Sequence, residues 1–323
     1  MALKDIPDSK LLSELEVLKK INEALKRKKP FSLVRVGDGE NIVLGQYTFL
    51  QEKEFMNTYW IKESFGDRDK GIDLPNTPLR DQMIASLKKA DIIGVCWQKK
   101  SDIRVPDRYK RELTNKIFDH YRIRPAHLCH VFTNRKLVSY QAFWRLIHNY
   151  RTLLISKWAK PFAELIALRY ASLKPKIVGC LSFEHYRQIP DLLSQIGNFR
   201  FDLALVSAGV NAVVLTQQIA ERYKKVAIDF GKAMMFMLKA SPRISPWIPK
   251  PVAAPPAFRS TLYRSGESTL SGGGFYIPST TVYTRSGKAG ARAVNKTAVS
   301  YKNRLASANK HTHANKEYYS IPL

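Results

Sequence analysis

The sequence predicts an α/β protein with a mostly parallel β-sheet that is covered by helices on both faces. Seven short apolar runs recur between residues 31 and 230, and segments with a helical apolar period lie between most of them. The runs are apolar at almost every position, as in strands that are buried on both faces. Regular alternation of such strands with helices is typical of a parallel sheet. We therefore predict one domain over residues 31–240, between a short region 1–30 and a long region 241–323.

The first predicted element is an amphipathic helix within residues 1–30. Asp8 or Ser9 can cap its first turn, and its last turn is basic before Pro30. The apolar residues that would form its buried stripe are Leu11, Leu12, Leu15, Leu18, Ile21 and Leu25. Their helical spacing predicts a helix that packs on the domain that follows.

The strands and helices of the domain follow in order. Strands are predicted at 31–37, 91–97, 127–132, 152–156, 176–182, 202–208 and 225–230. A helix is predicted to leave the first strand over 40–51, and further helices at 78–90, 107–121, 137–149, 160–172, 185–195 and 211–223. This order predicts a doubly wound, Rossmann-like sheet, in which ligands gather at the carboxyl ends of the strands. The turns that follow the strands are therefore the candidate positions for a site.

Composition excludes several classes of protein. Hydrophobic residues make up 45% of the chain, which suffices for a packed core, yet no run approaches the roughly 18 apolar residues of a membrane span. The first residues are charged and lack the apolar centre of a secretory signal. Cys96, Cys129 and Cys180 lie in separate apolar runs without paired spacing, which is typical of reduced core thiols. We expect a cytoplasmic protein without a membrane span.

The last predicted region, residues 241–323, is a proline-rich linker followed by a basic, low-complexity tail. It holds 12 lysines and arginines against Glu267 and Glu317, so it carries +10 of the net charge of +26. This composition predicts disorder, and the positive field favours polyanions such as an anionic surface polymer, RNA or a nucleotide diphosphate. Few aromatics lie among the cations of the tail and no nucleic-acid module is recognisable, which argues against nucleic acid.

The turn after the first strand, with the sequence RVGDGEN, is the most informative stretch. Gly37 and Gly39 let the backbone turn sharply, so that Asp38 and Glu40 can aim at one point. Two carboxylates supply the hard oxygen ligands that Mg²⁺ or Mn²⁺ prefers, and Arg35 adds a forked donor for phosphate. Alternatively, Asp38 is only the N-cap of the next helix and Glu40 an acid favoured by the helix dipole.

A second candidate turn joins the sixth predicted strand to its helix. Ser207, Gly209 and Asn211 lie there, and the backbone N–H groups and helix dipole offer a cradle for a diphosphate. Alternatively, this is a tight turn in which glycine serves packing. Glu184 and Asp229 follow or end other strands, so either can activate an acceptor hydroxyl or merely cap a helix. Further candidate contacts at strand ends are Trp97, Gln98, Thr133, Asn134, Arg135, Lys157, Ser182 and His185.

Three motifs together resemble a known family. They are LVRVGDGE at 33–40, VSAGVNAVVLTQQIA at 206–220 and VAIDFGKAM at 226–234. On these motifs, residues 10–237 resemble the GT-D-type bacterial glycosyltransferases. The resemblance implies a Rossmann-like domain in which a DXE motif, here Asp38 and Glu40, assists metal and nucleotide-sugar binding. One departure is Lys232, which stands where a histidine is expected after the late Asp-x-Gly of that family.

The resemblance and the residues together predict a metal-dependent, hexosyltransferase-like enzyme. We expect it to move a sugar from a nucleotide-diphosphate donor, such as a UDP-sugar, to a glycan or protein acceptor, with Mn²⁺ or Mg²⁺ as cofactor. Asp38 and Glu40 are the expected metal ligands, and Arg35, Gly37 and Gly39 would bind the donor. The alternative is a non-catalytic protein that binds nucleotide sugars, RNA or an anionic surface polymer through its basic tail. Analogy at the level of the fold predicts contact with the cell envelope or spore surface.

Overall fold

The fold is built on one parallel β-sheet in a computed structural model that describes residues 3–64, 71–98 and 105–239. Its strands are β1 (Phe31–Val36), β2 (Ile92–Val95), β3 (His127–His130), β4 (Thr152–Ile155), β5 (Ile177–Leu181), β6 (Leu203–Val206) and β7 (Val226–Asp229). They lie in the order β3-β2-β1-β7-β6-β4-β5, and every paired strand runs parallel to its neighbour. The predicted fold class and the seven predicted strands are confirmed.

Helices cover both faces of the sheet. They are α1 (Glu14–Lys26), α2 (Asp38–Gly45), α3 (Glu52–Met56), α4 (Tyr59–Ser64), α5 (Thr77–Leu87), α6 (Arg111–His120), α7 (Thr133–Lys136), α8 (Gln141–Asn149), α9 (Ala159–Arg169), α10 (Ile189–Ile196), α11 (Ala212–Tyr223) and α12 (Ala233–Lys239). Short helices such as α3, α4 and α7 were not predicted, because fewer than two turns show no apolar period. The helix after the first strand ends at Gly45 instead of continuing to residue 51.

Two hydrophobic cores lie on opposite faces of the sheet. Val34 and Val36 of β1 face the core formed with α2, α5, α6, α10 and α11. Phe31 and Leu33 face the other core, which contains α1, α8, α9 and α12. Alternate residues of a strand point to opposite faces, so a strand covered on both sides must be apolar throughout. This is why the continuous apolar runs predicted the strands correctly.

Helix α1 begins later than the sequence analysis predicted. Its N-cap is Ser13, whose hydroxyl accepts a hydrogen bond from the Glu16 N–H at 3.3 Å, while Glu16 accepts one from the Ser13 N–H at 2.8 Å. This reciprocal capping box fixes the first turn, so the expected cap at Asp8 or Ser9 is wrong. Leu11 and Leu12 therefore precede the helix, and Leu15 lies on its outer face, 58% exposed, so these three do not belong to the buried stripe.

The order of the strands places a switch point between β1 and β7. From β1 the chain moves outward to β2 and β3, then crosses to β4 in the other half of the sheet and returns through β6 to β7. The connection after β1 leads to α2 on one face of the sheet and the connection after β7 leads to α12 on the other, so the carboxyl ends of β1 and β7 border a crevice. Ligands of open α/β sheets bind in such a crevice.

Two expectations concern the remainder of the chain. The predicted linker and basic tail, 241–323, lie outside the described residues, and the division at residue 240 stays a prediction. Among the helices of the described ranges, none is long and apolar enough to cross a membrane.

Candidate active site

The turn between β1 and α2 is held by the carboxylate of Glu40. One oxygen, Oε2, accepts a hydrogen bond from the Gly37 N–H at 2.9 Å, and the other, Oε1, accepts one from Nη2 of Arg35 at 3.0 Å. The Glu40 side chain is 2% exposed, and that of Arg35 is 13% exposed. Glu40 is the third residue of α2, and its carboxylate accepts a hydrogen bond from Gly37, the residue just before the helix. This is the carboxylate half of a capping box.

Asp38 has a different environment from Glu40. It is the first residue of α2, is half-buried, and accepts a hydrogen bond from the Tyr59 hydroxyl of α4. Because successive helical residues are rotated by about 100°, side chains two positions apart point to roughly opposite sides of a helix. The two carboxylates of the DXE motif therefore have separate partners, and Asp38 is the one with solvent access.

Gly39 is required by a close approach to a tryptophan ring. A Cβ atom at this position would lie 2.7 Å from Nε1 of Trp60, closer than real side chains come. Gly37 adopts an extended backbone with φ −98°. Neither glycine lies in the left-handed region that only glycine reaches readily, so the expected sharp glycine turn is replaced by a regular helix start against Trp60.

Asp229, at the end of β7, completes the charged group around Arg35. Its Oδ2 lies 3.9 Å from Nε of Arg35, and its Oδ1 accepts a hydrogen bond from the Gly231 N–H at 2.9 Å. Burial, and then repulsion from Glu40, raise the pKa of Asp229 to about 7, although Arg35 opposes the shift. Burial lowers the pKa of Arg35, but attraction to Glu40, Asp229 and Asp38 outweighs it, and the net shift is upward.

Helix α7 carries two more polar residues to this group. It follows β3, at the edge of the sheet, yet the Asn134 side chain donates a hydrogen bond to the backbone oxygen of Asp229 at 2.7 Å. Asn134 also accepts one from the Arg135 N–H at 2.8 Å, so the backbone of Arg135 is tied to the same place. The sequence offered these residues only as strand-end candidates. Their position beside β7 depends on the strand order, which no local pattern shows.

The turn after β6 borders the same crevice. Gly209 adopts a left-handed backbone with φ +57°, and Asn211 is fully buried and donates from Nδ2 to the Gly71 oxygen at 2.9 Å. Oγ of Ser207 and Oδ1 of Asn211 are buried and have no hydrogen-bond partner among the described residues. Buried polar atoms are normally paired, so these two atoms keep a hydrogen-bonding capacity that the described residues do not use.

Glu184 lies farther from the group around Arg35. It follows β5, which is four strand spacings from β1, or roughly 19 Å at about 4.8 Å per strand. The Glu184 side chain is exposed, and its backbone packs against Gly71, which also contacts Asn211. The structure therefore brings Arg35, Asp38, Glu40 and Asp229 to one crevice and leaves Glu184 at its outer margin.

An exposed charged group lies beside Glu184. Asp73 contacts His185 at 3.3 Å and Arg187 at 2.7 Å. These residues stand next to a cleft of about 310 Å³ whose lining includes Tyr47 and Tyr186.

Three residues of this region were not foreseen in the sequence. Tyr59 bonds Asp38, Trp60 packs on Gly39, and the Gly71 oxygen accepts hydrogen bonds from the turns after β5 and β6. All three lie between β1 and α5, in a stretch whose apolar pattern is too short to place it.

The side chains available as metal ligands limit how a metal ion could be held. In the described part of the chain, no group of three or more His, Cys, Asp or Glu residues is arranged to hold one. Glu40 already has a partner on each oxygen, whereas Asp38 is half-buried and accepts a hydrogen bond from Tyr59. Mg²⁺ commonly takes one or two carboxylates and completes its shell with water and phosphate. The residues fit an ion shared between Asp38 and a phosphate ligand, and do not fit a cage made by the protein alone.

Comparison with known proteins gives one family and several solved structures. The sequence matches the GT-D fold-like domain family over residues 12–237. A structure described as domain of unknown function 1792 with a distinct glycosyltransferase fold is 17% identical, with a TM-score of 0.42 over 69% of this chain and 78% of that chain. A protein from Streptococcus sanguinis, described as a new glycosyltransferase, is 15% identical, with a TM-score of 0.41 over 66% of this chain and 80% of that chain. No curated protein matches the sequence.

Proposed function

This chain belongs to the family of GT-D fold-like domain proteins, and we propose that it is a glycosyltransferase that uses a nucleotide-diphosphate sugar. The observation that carries the proposal is the position of Arg35, a largely buried cation between Glu40 and Asp229 at the switch point of the sheet. Asp38 stands beside it with solvent access. A guanidinium and an accessible carboxylate at that point suit a diphosphate and its counterion.

In this proposal Asp38 and the donor phosphates hold Mn²⁺ or Mg²⁺ together. The ion, when bound, offsets the negative charge that develops on the departing diphosphate. Tyr59 orients the Asp38 carboxylate through its hydroxyl. Glu40, which the sequence analysis expected to be a second ligand, acts here by fixing Arg35 and the start of α2, since both of its oxygens are engaged.

Arg35 and the turn after β6 bind the phosphate oxygens. The Ser207 hydroxyl is buried without a partner among the described residues and can donate to an anion. The backbone around Gly209 leads into α11, whose N-terminal N–H groups and dipole favour negative charge. Oδ1 of Asn211, held in place through Nδ2, can accept a hydrogen bond from a hydroxyl of the donor.

Glu184 is the better candidate of the two carboxylates proposed to activate the acceptor hydroxyl. A general base must reach the proton that it removes. Glu184 is exposed at the margin of the crevice, whereas Asp229 is 1% exposed and enclosed by Arg35, Asn134 and Gly231. Asp229 acts as a positioning residue for Arg35 and for the turn after β7.

Release of nucleoside diphosphate from a panel of nucleotide sugars tests the proposal, with Mn²⁺, Mg²⁺ or a chelator present. We expect release from one donor that depends on the divalent ion. Asp38→Asn should lower turnover by about a hundredfold or more, the size found when one electrostatic group of a site is removed. The matched control is Asp119→Asn, whose side chain is 67% exposed and remote from the crevice. No release from any donor, together with no ion-dependent nucleotide binding in calorimetry, would overturn the proposal.

The net charge of +26 favours a second candidate function, the binding of a polyanion. That function predicts that Asp38→Asn leaves binding intact and that affinity falls steeply with salt. If the basic residues 241–323 only tether a transferase to an anionic acceptor or surface, a chain truncated near residue 240 keeps its turnover on a small acceptor. Loss of turnover in the truncated chain would contradict a tether and favour a part in the site.

A further inference from the structure

Arg135 is a half-buried cation whose guanidinium has no hydrogen bond and no ion pair within the described ranges. Nε is fully enclosed and unpartnered. The group lies over two aromatic rings, 4.3 Å from the centre of Phe132 and 5.4 Å from that of Phe236. Its backbone N–H donates a hydrogen bond to the Asn134 side chain, which fixes the backbone, while the two rings flank the charged end. Buried charges are normally paired, because burial without a partner is costly.

The surroundings of Arg135 lack negative charge at close range. Burial, and then repulsion from Arg35, lower the pKa of Arg135 to about 9, while Glu40, Asp229 and Asp38 attract it without coming into contact. The two guanidiniums stand near one crevice, where both oxygens of Glu40, Oδ1 of Asp229 and the carboxylate of Asp38 already accept hydrogen bonds. Nε of Arg35 and Nε of Arg135 have no hydrogen-bond partner among the described residues, and a bound anion would supply acceptors for both.

The position of Arg135 matches that of the proposed donor. Helix α7 crosses from β3 to the end of β7, where Asn134 holds the Asp229 oxygen. A Cβ atom added to Gly231 would lie 3.5 Å from Nε of Arg135 and 3.0 Å from the Asn134 side chain. Arg135 thus borders the turn after β7, on the switch-point crevice that Arg35 enters from β1.

We propose that Arg135 is a diphosphate-binding residue that acts with Arg35, so that two guanidiniums bind the two phosphates of a nucleoside diphosphate. This inference rests on the proposed function for the nature of the donor. The planar fork of arginine matches phosphate oxygens in pairs, and the flanking aromatic rings restrict the fork before the ligand arrives. A monophosphate lacks the second phosphoryl group, so we expect it to satisfy one guanidinium and to engage the other less fully.

Calorimetry with three probes tests the inference: UDP, UMP and inorganic pyrophosphate. In the full chain, Arg135→Gln should weaken binding of UDP and pyrophosphate by about tenfold or more, the size expected for a lost charge-assisted bond. The same substitution should weaken the binding of UMP much less. Arg135→Lys should restore part of the affinity, because it keeps the charge and loses the fork. The control is Arg145→Gln, an exposed arginine of α8 that bonds only Gln141 in the described structure.

Thermal unfolding separates a ligand-binding role from a structural one. Removing a half-buried charge that has no ion pair should leave the melting temperature of Arg135→Gln unchanged or raise it, whereas loss of a residue needed for folding would lower it. Unchanged UDP and pyrophosphate affinity in a folded Arg135→Gln variant would overturn the inference, even if wild type cleaves a donor. Pyrophosphate binding that depends on Arg135, without cleavage of any donor, would uphold the inference and defeat the proposed transferase.

Discussion

Two groups of charged side chains lie at the carboxyl edge of the sheet, and they differ in their exposure to solvent. The buried cluster consists of Arg35, Glu40 and Asp229, whose side chains are 13%, 2% and 1% exposed. The exposed cluster consists of Asp73, His185 and Arg187, whose side chains are 58%, 31% and 73% exposed. The shortest ion pair, at 2.7 Å, is in the exposed cluster, yet water and salt screen it. In the buried cluster, burial raises the pKa of Asp229 to about 7 even though Arg35, at 3.9 Å, opposes the shift, so distance alone does not rank the two clusters.

The largest difference between the clusters should come from removing one partner of the buried cluster. Glu40→Ala leaves Arg35 buried without its closest carboxylate and the Gly37 N–H without an acceptor. We expect the free energy of unfolding to fall by about 3–5 kcal/mol, as when a buried pair is broken. Glu40→Gln should cost less, since its amide oxygen can still accept from Gly37. Urea unfolding measures both, and the control is Glu112→Ala, a residue that is 57% exposed and paired with Lys116. Equal losses in Glu40→Ala and Glu112→Ala would remove the contrast.

The second largest difference should appear in the pH dependence of stability, because Asp229 of the buried cluster titrates with a raised pKa. The pKa of Asp229 is about 7 in the folded chain and about 4 in the unfolded chain, so the folded chain binds more protons between these values. Stability from this group is complete below about pH 4 and is lost as the pH rises to about 7, by about 1.4 kcal/mol per pH unit at most. The pKa of His130 is lowered to about 4, chiefly by burial, which gives a slope of the opposite sign.

The test is therefore the difference between wild type and Asp229→Asn across that range. The asparagine keeps an oxygen for the Gly231 N–H and loses the titration. The variant should show a steeper rise in stability between pH 4 and 7 than wild type, because the slope from His130 remains. Parallel curves for the two proteins would mean that Asp229 titrates equally in the folded and unfolded chains.

The fold could be predicted from the sequence because its signals are local. Strand β1 is apolar on both faces, and Asp38 and Glu40 follow it directly, so both its burial and the acidic turn could be predicted. The start of α1 was missed although the sequence held the signal, a serine followed three residues later by a glutamate, Ser13 and Glu16.

The assembly of the site could be predicted only in part, because it depends on strand order. Arg35 meets Asp229 only because β7 pairs with β1, a contact between residues almost two hundred positions apart in the chain. Arg135 reaches them only because α7 crosses the edge of the sheet from β3. Such contacts follow from long-range packing, which periodicity does not encode.

Packing beside the acidic turn gives a smaller expected effect than the charges do. In Gly39→Ala the new methyl group would overlap the ring of Trp60, with a closest approach of 2.7 Å. Overpacking of this kind costs about 1–3 kcal/mol. The control is Gly45→Ala in the same helix, where the nearest atoms lie at 3.5 Å, an ordinary contact, and where alanine should be neutral or stabilising. Thermal unfolding of the two variants measures the difference, and the same loss in both would show that helix propensity, and not Trp60, decides.

The smallest expected effect belongs to the exposed cluster. Asp73→Asn removes the carboxylate that contacts both His185 and Arg187, yet exposed pairs contribute about 1 kcal/mol or less. Screening makes this contribution depend on salt, because the Debye length falls to about 3 Å at about 1 M salt. The stability difference between wild type and Asp73→Asn should therefore vanish at high salt, whereas the difference between wild type and Glu40→Gln should persist. Urea unfolding at low and high salt gives both differences. If the loss in Asp73→Asn survives high salt, Asp73 is held by more than charge, and solvent exposure would no longer separate the two clusters.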